Sequence, residues 1–275
     1  MEQQHVAPLS VGVSALDRAV ERASGWLLER YGEEVEWAIE DQFLIGLDDQ
    51  ERIDLEEQLQ ARSSRDQSTF FANAMSCILA QGRFEPDAEE GDCRSFSFAE
   101  KLLGQGGLLL EVTERQWLEA LVGSTLQLYR IGPLDGELTP LDEVTSRERV
   151  RVEPHPAMDP LEEGDLVGAR VVTLESEQAG RLCGVFGFPT GDAERDLIDL
   201  VETAAAHSRG NRGEILGIAE VVATAWLRSF LPDTSTRGPQ ALPDGGGGTS
   251  NTRRILEWPV PDVSGSSPQS PPLDS

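Results

Sequence analysis

The sequence predicts an α+β fold: an N-terminal helical domain, a small antiparallel five-stranded β sheet or barrel, a C-terminal helical hairpin and a disordered tail. Three observations predict it. Apolar residues recur at helical spacing over residues 1–123, the spacing drops to two over 124–191 with turn signals at short intervals, and the helical period returns over 192–232. The remainder, 233–275, is a Pro/Gly/Ser-rich stretch with a short apolar motif at 255–261.

The first helix is expected over Ala15 to Tyr31. Ser14 can cap it, Leu16, Ala19, Val20, Ala23, Leu27 and Leu28 form its stripe, and Gly32 follows where a left-handed residue ends a helix. A second helix starts at Glu33. Between Glu33 and Leu59 stand eleven acids against the single cation Arg52, interleaved with Val35, Trp37, Ile39, Phe43, Leu44, Leu47, Ile53, Leu55 and Leu59. Glu33 and Glu34, and then Asp49 and Glu51 behind a capping Asp48, occupy first turns where the helix dipole favours them. Such a stretch is either a solvated acidic face or a docking surface for a basic partner.

The next helix runs from about Asp66 to Gln81, with Phe70, Phe71, Ala74, Met75, Ile78 and Leu79 inward, Cys77 near the inner face and Gly82 as the stop. Nothing basic adjoins Cys77 in sequence to lower its pKa, so it reads as a buried structural thiol. Glu85 to Arg94 is an acidic loop. It is not an EF-hand loop, because counting from Asp87 the sixth and twelfth positions are Asp92 and Phe98, where glycine and glutamate are needed. A short helix Phe98 to Leu103 precedes Gly104-Gln105-Gly106-Gly107, which lacks the third glycine of a dinucleotide fingerprint because Leu109 stands there. A helix Glu114 to Val122 then carries Trp117, Leu118 and Leu121 on one side.

Strands are expected over Thr125 to Ile131, Glu137 to Leu141, Arg149 to Val152, Asp165 to Leu174 and Arg181 to Phe188. The fourth is apolar on both faces and belongs in the interior of the sheet. Its Arg170, set among apolar neighbours, needs a carboxylate partner in a structural ion pair, with Asp142 and Glu153 as the candidates. Helices Ala193 to Ser208 and Gly213 to Leu231 are joined by Arg209 to Gly213, short enough to make a helical hairpin.

Composition narrows the function. The chain has 275 residues, 23 Lys and Arg against 49 Asp and Glu, and a net charge of −26. That length suffices to bury roughly 70–75% of the unfolded surface. The charge repels polyanions and disfavours nucleic acid and anionic membranes as partners. Lys101 is the only lysine. No apolar run is long enough to span a membrane, and the first residues lack a basic, apolar leader, so a cytoplasmic protein is expected. Cys77, Cys93 and Cys183 are widely spaced and lack a CxxC pair, which suits reduced thiols and no structural metal.

A search for catalytic patterns is empty. His5, His155 and His207 accompany no GxSxG elbow, and His207 sits where it complements the end of a helix. Gly187 to Asp192 has neither the spacing nor the lysine of a P-loop, so no nucleotide and no other cofactor is expected.

Residues about 110–190 carry a resemblance. Thr113-Glu114-Arg115, Trp117-Leu118, Ala120-Leu121 and Ser124 are followed by Leu138, Leu141-Asp142, Val150, Val152-Glu153, Leu161, Gly164-Asp165 and Ala169-Arg170. This order resembles the body of uncharacterised bacterial proteins of the SEC-C-associated type. The resemblance implies a helical domain followed by a small β-rich module. The zinc motif of that type needs cysteines near the C-terminus, and none follows Cys183, so zinc binding is not implied here.

The reading that joins these observations is a non-catalytic protein-interaction or adaptor protein that binds another protein. Its tail would present Ile255, Leu256, Trp258 and Val260, either to the partner or to the protein's own body. The alternatives are a hydrolase or other metal-assisted enzyme using carboxylates, and weak nucleic-acid binding through Arg147, Arg149, Arg151 and Arg170 of the β module.

Overall fold

The computed structural model describes residues 14–84, 95–133, 137–188, 191, 194–208 and 217–231. Helix α1, Ala15–Ala38, opens on a reciprocal cap in which Ser14 Oγ accepts the Asp17 N–H and the Asp17 carboxylate accepts the Ser14 N–H. The expected stop at Gly32 is a kink instead. Tyr31 leaves helical geometry at φ −138° and ψ 35°, and the helix resumes without a left-handed glycine. Burial carries it through: Val35, Ala38, Ile39 and Phe43 are all buried, the last two in a π-helical turn, Ile39–Phe43, that closes the segment. Glu33 and Glu34 therefore sit in mid-helix rather than in a first turn.

Helix α2, Asp49–Gln60, has the expected cap, with Asp48 and Glu51 exchanging side-chain to backbone bonds of 2.8 and 3.0 Å. Helix α3, Ser64–Gln81, starts two residues before the expected position, on Ser63, and stops at Gly82. A two-residue antiparallel pair, β1 (Arg83–Phe84) and β2 (Phe96–Ser97), leads into α4, Phe98–Leu103. Helix α5, Val112–Gly123, begins on a Glu111–Glu114 capping box.

Five strands follow: β3 (Leu126–Ile131), β4 (Thr139–Glu143), β5 (Arg149–Val152), β6 (Leu166–Val172) and β7 (Arg181–Phe188). They form one antiparallel sheet in the order β5-β4-β3-β6-β7, so β6 is interior as its two apolar faces required. The sheet curls until its edges meet. Val152 at the end of β5 bridges Gly180 just before β7, through Glu153 N–H to Gly180 O and Gly180 N–H to Arg151 O, both 2.9 Å. Tyr129, Ile131, Leu141, Val152, Val167, Ala169, Leu182 and Val185 fill the inside of the curl.

The other face of the sheet joins the main core. Leu126, Leu128, Leu166, Val172, Cys183 and Phe186 pack there with buried residues of α1 to α5 and of the two last helices, α6 (Glu194–Ser208) and α7 (Ile218–Arg228). Helix α7 lies on β3 and β7 and packs against α6. Gly168 lets it approach, since a Cβ there would overlap Val222.

Helix α3 meets β7 at a bulge. Ala169 pairs with Val185 but Arg170 pairs with Cys183, so Gly184 is the extra residue, at φ +67°. The buried Asn73 side chain donates to Val185 O and accepts from Val185 N–H, both at 2.8 Å, and so satisfies the backbone beside the bulge.

On the opposite side of α1, Arg22 reaches the buried Glu114 and the carbonyl of Leu109. The Arg22 hydrogen bond, aided by the Glu111 N–H, holds the Glu114 carboxyl below its ordinary range. A depressed carboxylate stabilises the fold above its unfolded-state pKa, and that contribution vanishes as pH falls through the folded value. Glu114→Gln is expected to destabilise near pH 7, with the gap from the parent narrowing as the pH falls below the ordinary carboxylate range, in denaturant titrations at neutral and acidic pH. A gap that does not change with pH would mean the loss comes from packing.

Candidate functional site

The ion pair expected at Arg170 is not formed. Asp142 is held bidentately by Arg149 at 2.6 and 2.8 Å, and Glu153 pairs with Arg181 at 3.1 Å. Arg170 is 1% exposed and lies on the helix-facing side of β6. Its Nη1 donates to Ser124 O and its Nη2 to Gln81 Oε1, each at 2.9 Å, while its Nε has no partner. Among the described residues no carboxylate lies within 4 Å of it.

Its surroundings supply negative potential in another form. Gln81 is the last residue of α3 and Ser124 caps the C-terminus of α5, so the guanidinium sits at the negative ends of two helix dipoles. Cys183 is its cross-strand neighbour, and Cys77 lies near enough to feel its charge. Burial pushes both thiols up, Cys183 to about 12, against the opposing pull of Arg170. They are protonated at neutral pH, which fits packing rather than nucleophilic chemistry.

Neither described histidine bonds a nucleophilic side chain. Burial lowers the His155 pKa, and its Nδ1 accepts from Ala157 N–H in the turn after β5. His207 Nδ1 bonds Thr203 O at 2.8 Å in the last turn of α6. Among the described residues no three His, Cys, Asp or Glu side chains are grouped so as to hold a metal, and no helix is long and apolar enough to cross a membrane. The arginines of the β module are engaged: Arg149 by Asp142, Arg147 by Glu202 at 3.2 Å, and Arg170 in the core. Ile255, Leu256, Trp258 and Val260 lie outside the described residues, as do His5 and Cys93.

What the folded surface does display is acid around exposed apolar groups. Trp37, 51% exposed on α1, has Glu33, Glu34, Glu40 and Asp41 three and four residues away on either side. Ile53, 50% exposed on α2, has Asp49, Glu56 and Glu57 at the same spacings. None of these seven acids forms an ion pair among the described residues. The crowding registers at Glu36, whose pKa is raised by burial and then by repulsion from Glu33 and Glu40.

A second surface feature was not anticipated from the sequence. A cleft of about 440 Å³ opens between the kink of α1 and the start of α4, lined by Trp26, Tyr31, Phe96 and Lys101, with Gln105 and Gly106 at its end. Its walls come from two stretches far apart in sequence, residues 26–31 and 95–106, so no local pattern announces it. The Tyr31-Gly32 pair, read as a helix stop, was the only local sign.

No family model, no curated protein and no solved structure matches the chain.

Proposed function

We propose that the folded body is a non-catalytic protein-interaction module of the cytoplasm that receives a basic, amphipathic partner segment on its acidic helices. The observation that supports this reading is the placement of Trp37 and Ile53, each half exposed and each ringed by acids that have no cationic partner in the described structure. A partner with arginine or lysine around an apolar anchor would bury these two side chains and relieve the repulsion felt at Glu36.

The contribution of each part can be bounded. Burying the exposed half of a tryptophan or isoleucine supplies about 1 kcal/mol. The surrounding charges mainly set the rate of encounter and its salt dependence. Affinity capture from the native host is the test: the full chain should retain a basic partner, and a variant carrying E33Q, E34Q, E40Q and D41N should lose it. An identical set of retained proteins from both chains would contradict the proposal. A chain ending at Pro232 separates the tail from the body, and the body alone should suffice.

A further inference from the structure

The cleft beside the α1 kink has a chemistry opposite to that of the acids around Trp37 and Ile53. The rings that line it, Trp26, Tyr31 and Phe96, belong to an aromatic chain that continues inward: Trp26 and Tyr31 lie 5.7 Å apart, Tyr31 and Phe84 5.6 Å, Phe84 and Phe96 6.3 Å, and Phe84 and the fully buried Phe98 4.9 Å. The kink at Tyr31 swings that ring out of the helical path and into this chain. Two cations rest on the rings. Lys101 Nζ stands 3.9 Å from the centre of Phe96, and the Arg30 guanidinium 5.1 Å from the centre of Trp26.

Neither cation has a carboxylate within 4 Å among the described residues, although acids outnumber cations 49 to 23 in the chain. Glu100, the one acid lining the cleft among the described residues, accepts the Ser97 N–H at 2.9 Å as part of the α4 cap. At the far end Gly106, at φ +80°, has open space where a side chain would stand, and the Gln105 amide is exposed beside it. Flat rings at the wall, an ammonium with no carboxylate partner among the described residues and an open glycine at the end describe a receptor for a flat anion.

We propose that this cleft binds a small aromatic carboxylate, its ring stacked among Trp26, Tyr31 and Phe96 and its carboxylate on Lys101 Nζ. A cation lying on an aromatic face keeps its outward side for an anion, so the ligand would add to the Lys101–Phe96 pair rather than break it. The volume accommodates a bicyclic ring system with its carboxylate. The site is independent of the acidic faces of α1 and α2.

Because Lys101 is the only lysine, protein grown with carbon-13 lysine gives one lysine spin system, and its ε-methylene protons report the cleft directly. In the free protein they should be shifted upfield by the Phe96 ring. Titration of the full chain with 2-naphthoate should move that signal saturably, and 2-naphthamide should leave it in place. Lys101→Gln, followed through tryptophan fluorescence, should weaken naphthoate binding about tenfold, with an unchanged unfolding transition showing that the fold is intact. No saturable shift by about 10 mM naphthoate, equal binding of the amide, or equal binding by the variant would each overturn the proposal.

Discussion

Replacing Arg170 with alanine is expected to lower the unfolding free energy by about 4 kcal/mol, the largest single effect the structure predicts. The guanidinium is the second largest of the fully buried side chains, and its removal leaves a cavity between β6 and the ends of α3 and α5. It also takes the donor from Gln81 Oε1 and Ser124 O, but Gln81 is exposed and Ser124 half-buried, so water can replace it there and the cavity carries most of the loss. Arg170→Met keeps most of the volume and discards a charge that has no carboxylate beside it, so it should recover more than half of the loss. Guanidinium unfolding of the three proteins gives the ranking. An alanine variant within about 1 kcal/mol of the parent would show that the arginine is dispensable to the core.

The second large effect is at Gly184. Its φ of +67° is in the left-handed region, and a Cβ would overlap the Ser76 hydroxyl on the facing turn of α3. Gly184→Ala therefore combines a backbone cost of about 1–2 kcal/mol with displacement of a helix already fixed to Val185 by the two Asn73 bonds. The expected loss is about 3 kcal/mol, read as a lower denaturant midpoint at constant slope. Ser76→Ala removes the clashing oxygen, so the double variant should be less destabilised than the two single losses added together. Strict additivity would mean that the bulge does not depend on that contact.

Much of the fold was legible because its signals are local. The caps at Ser14 and at Asp48, the start of α4 after Ser97, and the two-residue alternation of Leu126 with Leu128 in β3 and Val150 with Val152 in β5 are each written within three to eight neighbouring residues. The misreadings are places where burial from afar overrides a local signal. Gly32 looks like a helix stop, yet Val35, Ala38 and Ile39 all have core to enter, so the chain bends at Tyr31 and continues. Arg170 looks as though it requires an acid, yet the polar atoms that receive it are a glutamine 89 residues before it and a backbone carbonyl 46 residues before it. Cross-strand arginines closer at hand claimed Asp142 and Glu153. The cleft at Lys101 was hidden for the same reason: α1 meets the continuous stretch from β2 to the turn after α4 only in the folded chain.

The acids of α1 and α2 were visible from the outset, but their meaning changes once Trp37 and Ile53 are placed. An acidic helix that buries all its apolar residues needs no partner; these two helices leave one half exposed on each charged face. The contrast between that surface and the cation-lined cleft divides the molecule's exterior into regions with opposite preferences.

Calorimetric titration of the full chain with two arginine- and leucine-containing peptides of one composition tests the central claim most directly. One peptide gathers its leucines on a single helical face and the other scatters them. The account predicts that the first binds at least tenfold more tightly and that the preference disappears in a Trp37→Ser, Ile53→Ser variant whose acids are intact. Equal affinity for both peptides, abolished by salt and indifferent to the two substitutions, would show that the acidic helices attract charge alone and would contradict it.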